Sequence, residues 1–182
     1  GSAIMANYEA ARRHLMIMEG GLSNRLDDPG GITNYGVSLR WLQSVGEIGA
    51  DGFLIGDLDQ DGDVDADDIR AMTPEKSAEL YRSQWWDRYR YGSINDQAIA
   101  TKIFDFAVNM GPRQAHILAQ RALRATGKMV VEDGILGLIT LQSINDFAPR
   151  GILPALRSEA AGFYRSLNKP TFINGWLNRA YA

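Results

Sequence analysis

The sequence predicts a mainly α-helical fold, a helical bundle with a small loop or hairpin region lining a cleft, and three observations carry that prediction. Apolar residues recur at three- and four-residue spacings over Tyr8–Met18, Ile94–Met110 and Arg113–Ala125, the pattern of helices with a buried face. Glycine and proline stand at the ends of these segments, in Gly20-Gly21, Gly111-Pro112 and Gly127, where they stop helices. The one stretch expected to be extended is a short hairpin between residues 22 and 37.

The chain has 182 residues, 45% of them hydrophobic, enough for one domain around a single core. A single unit over residues 7–182 is expected, with residues 1–6, GSAIMA, set aside as an added leader. No apolar run approaches the ~18 residues of a membrane span, and no charged-then-apolar signal segment is evident. The protein is therefore expected to be made in the cytoplasm, to act as a monomer and to carry no integral membrane segment. Cysteine is absent and histidine occurs twice, which leaves little room for thiol or zinc chemistry and favours carboxylates. His14 and His116 both fall within predicted helices and read as structural. Nothing in the sequence matches a nucleic-acid motif.

The first helix carries Ala11, Leu15 and Met18, and Ala10, His14 and Ile17, at helical spacing. Glu19 falls in its last turn, where unpaired carbonyls form the negative end of the helix dipole and disfavour another negative charge. Its pKa is expected to rise, which suits a general acid. Asp27-Asp28-Pro29-Gly30-Gly31 cannot continue the helix, because proline lacks an amide hydrogen and pushes the preceding residue to extended geometry. Thr33 and Tyr35 follow on the same loop or hairpin.

This order sets Glu19 across a cleft from Asp28 and Thr33, an arrangement suited to glycosidic hydrolysis. One carboxylic acid protonates the leaving oxygen while an opposed carboxylate, helped by a hydroxyl, holds water or stabilises the oxocarbenium-like sugar. Asp27 competes with Asp28 for the second role. Exposed glutamates and Asp-Pro-Gly turns are also ordinary surface features, so spacing alone leaves both readings open.

A second constellation lies at Asp57–Asp68, DLDQDGDVDADD, which holds seven of the 22 acidic residues. It matches the twelve-residue calcium loop, with Asp57, Asp59, Asp61 and Asp68 at the side-chain positions and Gly62 at the sharp turn. Asp63 supplies the carbonyl position and Asp65 a direct or water-mediated contact. Position 12 is aspartate rather than glutamate, a shorter arm for bidentate binding. Carboxylates this close repel one another, so a structural Ca2+ is expected to staple the connection. A solvated acidic loop is the alternative.

The remaining elements follow in order. Val37–Val45 reads as a helix capped by Ser38, and Gly46–Gly56 as a loop. A short helix starts at Ala66 or Asp67. Thr73-Pro74 opens a helix running to about Trp86. Trp85, Trp86, Tyr89 and Tyr91 form an aromatic cluster, core by default, with Trp85 as a candidate sugar contact. Ile94–Met110 is too apolar on too many sides for a surface helix and is expected to be central. Asn109 near its end either caps the helix or touches substrate. Helices are further expected over Arg113–Ala125, Ile135–Phe147, Pro154–Leu167 and Phe172–Arg179.

The string Glu19 to Gly36, EGGLSNRLDDPGGITNYG, resembles the signature of glycoside hydrolase family 108, phage-type N-acetylmuramidases that cleave peptidoglycan. Phe104–Gly111, FDFAVNMG, and Asp133–Leu141, DGILGLITL, are similar to that family's later blocks, and Gly175–Arg179 to its C-terminal peptidoglycan-binding tail. The resemblance implies a lysozyme-like bundle, an endolysin acting on bacterial peptidoglycan after release through a holin or secretion route, and Glu19 as catalytic acid. The order Glu, Asp, Thr also resembles the triad of the broader phage lysozymes, which makes Asp28 and Thr33 the water-positioning pair. Tyr35, Asn109 and Trp85 are the expected substrate contacts, and residues 133–182 a peptidoglycan-binding segment. Two rivals are a lytic transglycosylase, with Glu19 acting alone, and a non-catalytic calcium-dependent wall-binding module.

Overall fold

A computed structural model describes residues 5–19, 32–146 and 149–182, with the side chains of Glu19, Pro149 and Arg150 outside that description. The chain is mainly helical, as predicted. It divides into two compact units, Leu15–Tyr81 and the combination of Gly1–His14 with Arg82–Ala182. Helix α1 (Tyr8–Glu19) runs through the division.

In the Leu15–Tyr81 unit, the hairpin is formed by β1 (Thr33–Asn34) and β2 (Val37–Ser38), antiparallel, with Thr33 opposite Ser38 and Asn34 opposite Val37. Tyr35 and Gly36 make the two-residue turn at φ 51° and 78°, the left-handed pair whose twist matches that of the strands. The Ser38 hydroxyl accepts from the Trp41 amide at 3.1 Å and so opens α2 (Leu39–Ser44). Val37, expected inside that helix, instead belongs to β2, because its pairing with Asn34 takes it. After the acidic loop come α3 (Ala66–Arg70) and α4 (Pro74–Tyr81). Thr73 caps the latter as predicted, its hydroxyl accepting from the Lys76 amide at 3.1 Å. Leu15, Val37, Leu42, Ile69, Met72, Leu80 and Tyr81 form the buried interior of this unit.

The other unit begins where α4 gives way to a wider π-helical stretch, Arg82–Asp87, so the helix expected to reach Trp86 changes its hydrogen bonding at Tyr81. Its centre is α5 (Gln97–Met110), buried on nearly all sides from Ile99 to Ala107, the position predicted for this segment. The side chain of Asp96 accepts from the Ile99 amide at 2.9 Å and sets the start three residues later than Ile94. Then follow α6 (Pro112–Ala125), α7 (Leu138–Asn145), α8 (Pro149–Ser166) and α9 (Ile173–Tyr181). Helix α6 packs on α5 and α8, and α9 on α8.

Two later helix starts also differ from expectation. The sequence places α7 from Ile135, yet Asp133 accepts from the Ile135 amide at 2.9 Å and Gly134 takes φ 76°. A Cβ at Gly134 would meet Arg113 Cγ at 2.7 Å. Residues 133–137 therefore form a turn held against α6, where the Gln120 side chain accepts from Gly134 N–H at 3.0 Å and donates to Asp133 at 2.9 Å. Helix α8 begins at Pro149 rather than Pro154. Both are possible first-turn prolines.

Aromatic packing joins the N-terminal half of α1 to this unit. Trp86 meets Tyr8, Phe104 and Tyr91 at centroid distances of 5.6, 5.4 and 6.2 Å. A buried ion pair fixes the C-terminus. Arg179 donates to both carboxylate oxygens of Asp105, at 2.9 and 2.8 Å, and Lys102 Nζ donates to the carbonyls of Arg179 and Ala180 at 2.9 and 2.8 Å. Burial pulls the Lys102 pKa down to about 8.

Candidate active site and cation loop

Helix α1 ends at Glu19 with no basic residue in its last turn. The backbone therefore puts position 19 at the electronegative helix terminus, with no basic residue in the same turn. Asp28 and its competitor Asp27 lie outside the described residues.

Thr33 and Tyr35 are half-buried on the hairpin. Tyr35 holds a left-handed backbone that a bulky residue adopts only at a cost, and its carbonyl accepts from the Tyr81 hydroxyl at 2.7 Å. Asn34 between them is 8% exposed, and its side-chain amide donates to the carbonyls of Ile69 at 3.1 Å and Met72 at 3.4 Å. The hairpin is thus tied to α3 by Asn34 and to α4 by Tyr81. Sequence reasoning places Tyr81 on the inner face of its helix but assigns neither residue this tie, because both partners lie far away in the chain and leave no local pattern.

Asn109 and Trp85 belong to the other unit. Asn109 is exposed near the end of α5, with its side-chain carbonyl accepting from the Tyr164 hydroxyl at 2.6 Å. Tyr164 stacks on Trp176 at 5.5 Å, and Trp176 in turn stacks on Phe172 at 5.4 Å. Trp85 is 8% exposed, so its ring offers little free face.

The acidic segment folds as a chain of side-chain-to-backbone turns. Asp57 accepts from the amides of Asp61 and Gly62 at 3.2 and 2.9 Å, and Asp61 from Asp63 at 3.0 Å. Gly62 takes φ 87°, the conformation expected of the sixth position. Carboxylate oxygens of Asp57, Asp59 and Asp61 lie within 4.8 Å of one another, as do those of Asp59, Asp65 and Asp67. Such all-oxygen groups fit a hard divalent cation.

Two positions make contacts beyond those read from the motif. Asp67, outside the expected set, joins the second group. Asp68 at position 12 is fully buried and accepts from Leu58 and Asp59 through Oδ1, at 2.7 and 3.2 Å, and from Asp65 through Oδ2 at 2.8 Å. It clasps the loop to the start of α3. Desolvation in the crowded loop, then a hydrogen bond with Asp61 and the charges of Asp68 and Asp61, push Asp59 up to about 6.

No curated protein matches this sequence. A solved structure of SagA from Brucella abortus is similar, with a TM-score of 0.74 and 25% sequence identity, covering 95% of this chain and 88% of that one. The family model for glycosyl hydrolase 108 matches residues 12–111, more than half of the chain. That span takes in Glu19, the hairpin, the acidic loop and α5, and it stops before the 133–182 segment. On that match the chain belongs to the glycosyl hydrolase 108 family and is a glycoside hydrolase.

Proposed function

We propose that this chain is an N-acetylmuramidase that hydrolyses the β-1,4 bond between N-acetylmuramic acid and N-acetylglucosamine in bacterial peptidoglycan. Membership of the family supports peptidoglycan hydrolysis in general. The observation that carries the finer reading is the position of Glu19 at the C-terminal end of α1 without a basic neighbour in the last turn. The negative end of a helix favours the protonated form of a carboxyl group, the form a general acid needs to protonate the glycosidic oxygen.

As the C1–O bond breaks, the leaving sugar takes that proton. Water adds to C1 and gives its own proton to the opposed carboxylate, assigned to Asp28, with Thr33 orienting the water. Tyr35 and Asn109 have the exposure to meet substrate. Trp85 supports the aromatic cluster from within. The 57–68 loop would hold Ca2+ as a structural ion through Asp57, Asp59, Asp61 and Asp65, with the carbonyl of Asp63 and with Asp68 as clasp. Residues 133–182 extend the wall-binding surface, and the enzyme acts on the cell wall as a monomer.

Mass spectra of digested muropeptides test the reading. Reducing muramic ends are expected, and Glu19→Gln lowers their release at least about 10²-fold, the loss typical of a missing general acid. Anhydro ends would identify a transglycosylase instead. Wall clearing unchanged by Glu19→Gln would make the protein a binding module.

A further inference from the structure

The geometry points to Asn34 as a positioning residue that couples the acidic loop to the hairpin of Thr33 and Tyr35, so that cation binding at the loop sets the turnover of the enzyme. This rests on the muramidase reading, in which Thr33 orients water, and it adds a route by which a structural ion reaches that hydroxyl.

The route is short and continuous. Asp68 gathers the Leu58, Asp59 and Asp65 amides and is itself a residue of α3. The next residue, Ile69, is fully buried and receives the Asn34 amide on its carbonyl, with the Met72 carbonyl beside it. Asn34 is the strand neighbour of Thr33. Alternation along a strand puts their side chains on opposite faces, so the anchor and the hydroxyl stand back to back on one piece of backbone. A second tie runs from α2, which follows the hairpin directly, where Gln43 donates to the Val64 carbonyl of the loop at 3.0 Å. The loop and α3 are therefore tied to the hairpin through Asn34 and to the helix that follows it through Gln43.

The physical consequence follows from charge. Carboxylates crowded without a cation repel one another, and spreading them strains the Asp68 clasp at the start of α3. Buried hydrogen bonds transmit such a shift to β1 because the packed interior cannot absorb it. A displacement near 1 Å at a water-orienting group is enough to cost about 10²-fold in rate. Tyr35 moves with the hairpin, so KM rises too, but by less than kcat falls, because contacts outside the hairpin such as Asn109 are kept.

The experiment compares the full chain in Ca2+ and in EGTA, well below the melting temperature of the EGTA form. It reads kcat and KM for release of reducing ends from peptidoglycan, and Ca2+ affinity by calorimetry. For the wild type, EGTA is expected to lower kcat at least tenfold, with a smaller rise in KM. Asn34→Ala is expected to bind Ca2+ within threefold of the wild type yet show the low kcat already in Ca2+, and to lose less than twofold more on chelation. Asn34→Ser, polar but too short to span to α3, is judged by the same criteria and serves if the alanine variant does not fold.

Wild-type kcat in a folded Asn34 variant would overturn the coupling, as would a further tenfold loss on chelation or a wild type that binds no Ca2+. In each of those cases a wild type that still releases reducing ends leaves the muramidase reading standing. A wild type that releases none in Ca2+ removes both.

Discussion

Tyr91 and His116 share a hydrogen bond of 2.7 Å whose direction is fixed by a third group. His116 Nδ1 lies 3.0 Å from the Gly134 carbonyl, which can only accept, so Nδ1 carries the hydrogen and Nε2 accepts from the Tyr91 hydroxyl. The buried imidazole is complete in its neutral form. Burial, partly opposed by the Gly134 contact, lowers its pKa below the ordinary 6.5.

An acid-side loss of stability follows. With its folded pKa depressed, His116 binds fewer protons folded than unfolded, so its contribution is present above pH 6.5 and is lost as pH falls through the folded value. His14, also lowered by burial, acts in the same direction. The melting temperature is expected to fall as pH drops below 6.5, less steeply in His116→Gln and least in the double variant with His14→Gln. Equal slopes in all three proteins would place the titration elsewhere.

The Asp105–Arg179 pair anchors α9 to α5, with side chains 0% and 8% exposed. Removing the carboxylate takes the Asp105 anion away from the buried Arg179, and breaking such a pair costs about 3–5 kcal/mol. Asp105→Asn should lower the urea midpoint by a matching amount, whereas an exposed pair, Lys76–Glu79, should tolerate Glu79→Gln within about 0.5 kcal/mol. A midpoint unmoved by Asp105→Asn would show that the pair stabilises little.

What the sequence disclosed tracks the range of the interaction. Ser38 and Thr73 cap the helices read from their spacing, since a cap and its amide lie three residues apart. The buried face of α5 and the Gly62 turn are likewise written in contiguous residues. Glu19 at a helix end was legible for the same reason, whereas its proposed partner Asp28 lies outside the described residues. The roles of Asn34 and Tyr81 were not legible, because their acceptors stand 35 and 46 positions away. Asp68 was recognised by position, but its three amide donors depend on how the loop closes.

Asp68 and Asp61 are expected to separate clasp from ligand. Ca2+ at about 100 times its dissociation constant stabilises by about 2.7 kcal/mol, and EGTA should reverse that rise in melting temperature. Asp61→Asn should abolish the Ca2+ response while changing little in EGTA. Asp68→Asn should lower the melting temperature in both conditions, because a charged acceptor of buried amides contributes about 1.5–3 kcal/mol with or without the ion. Calorimetric scans of the three proteins decide, and a wild type indifferent to both Ca2+ and EGTA would end the cation assignment.

Tyr81→Phe tests how firmly the hairpin turn is held. The hydroxyl donates to Tyr35 O at 2.7 Å and the ring is fully buried, so the variant removes a buried donor while keeping the packing. The cost is expected near 1 kcal/mol, and in a chain of this size that lowers the melting temperature by about 2–4 °C. Tyr35 occupies its left-handed backbone at φ 51° only while the surroundings impose it, so loosening the clamp should also reduce turnover on peptidoglycan several-fold. A melting shift without any change in kcat would confine Tyr81 to stability and leave Tyr35 outside the reacting groove.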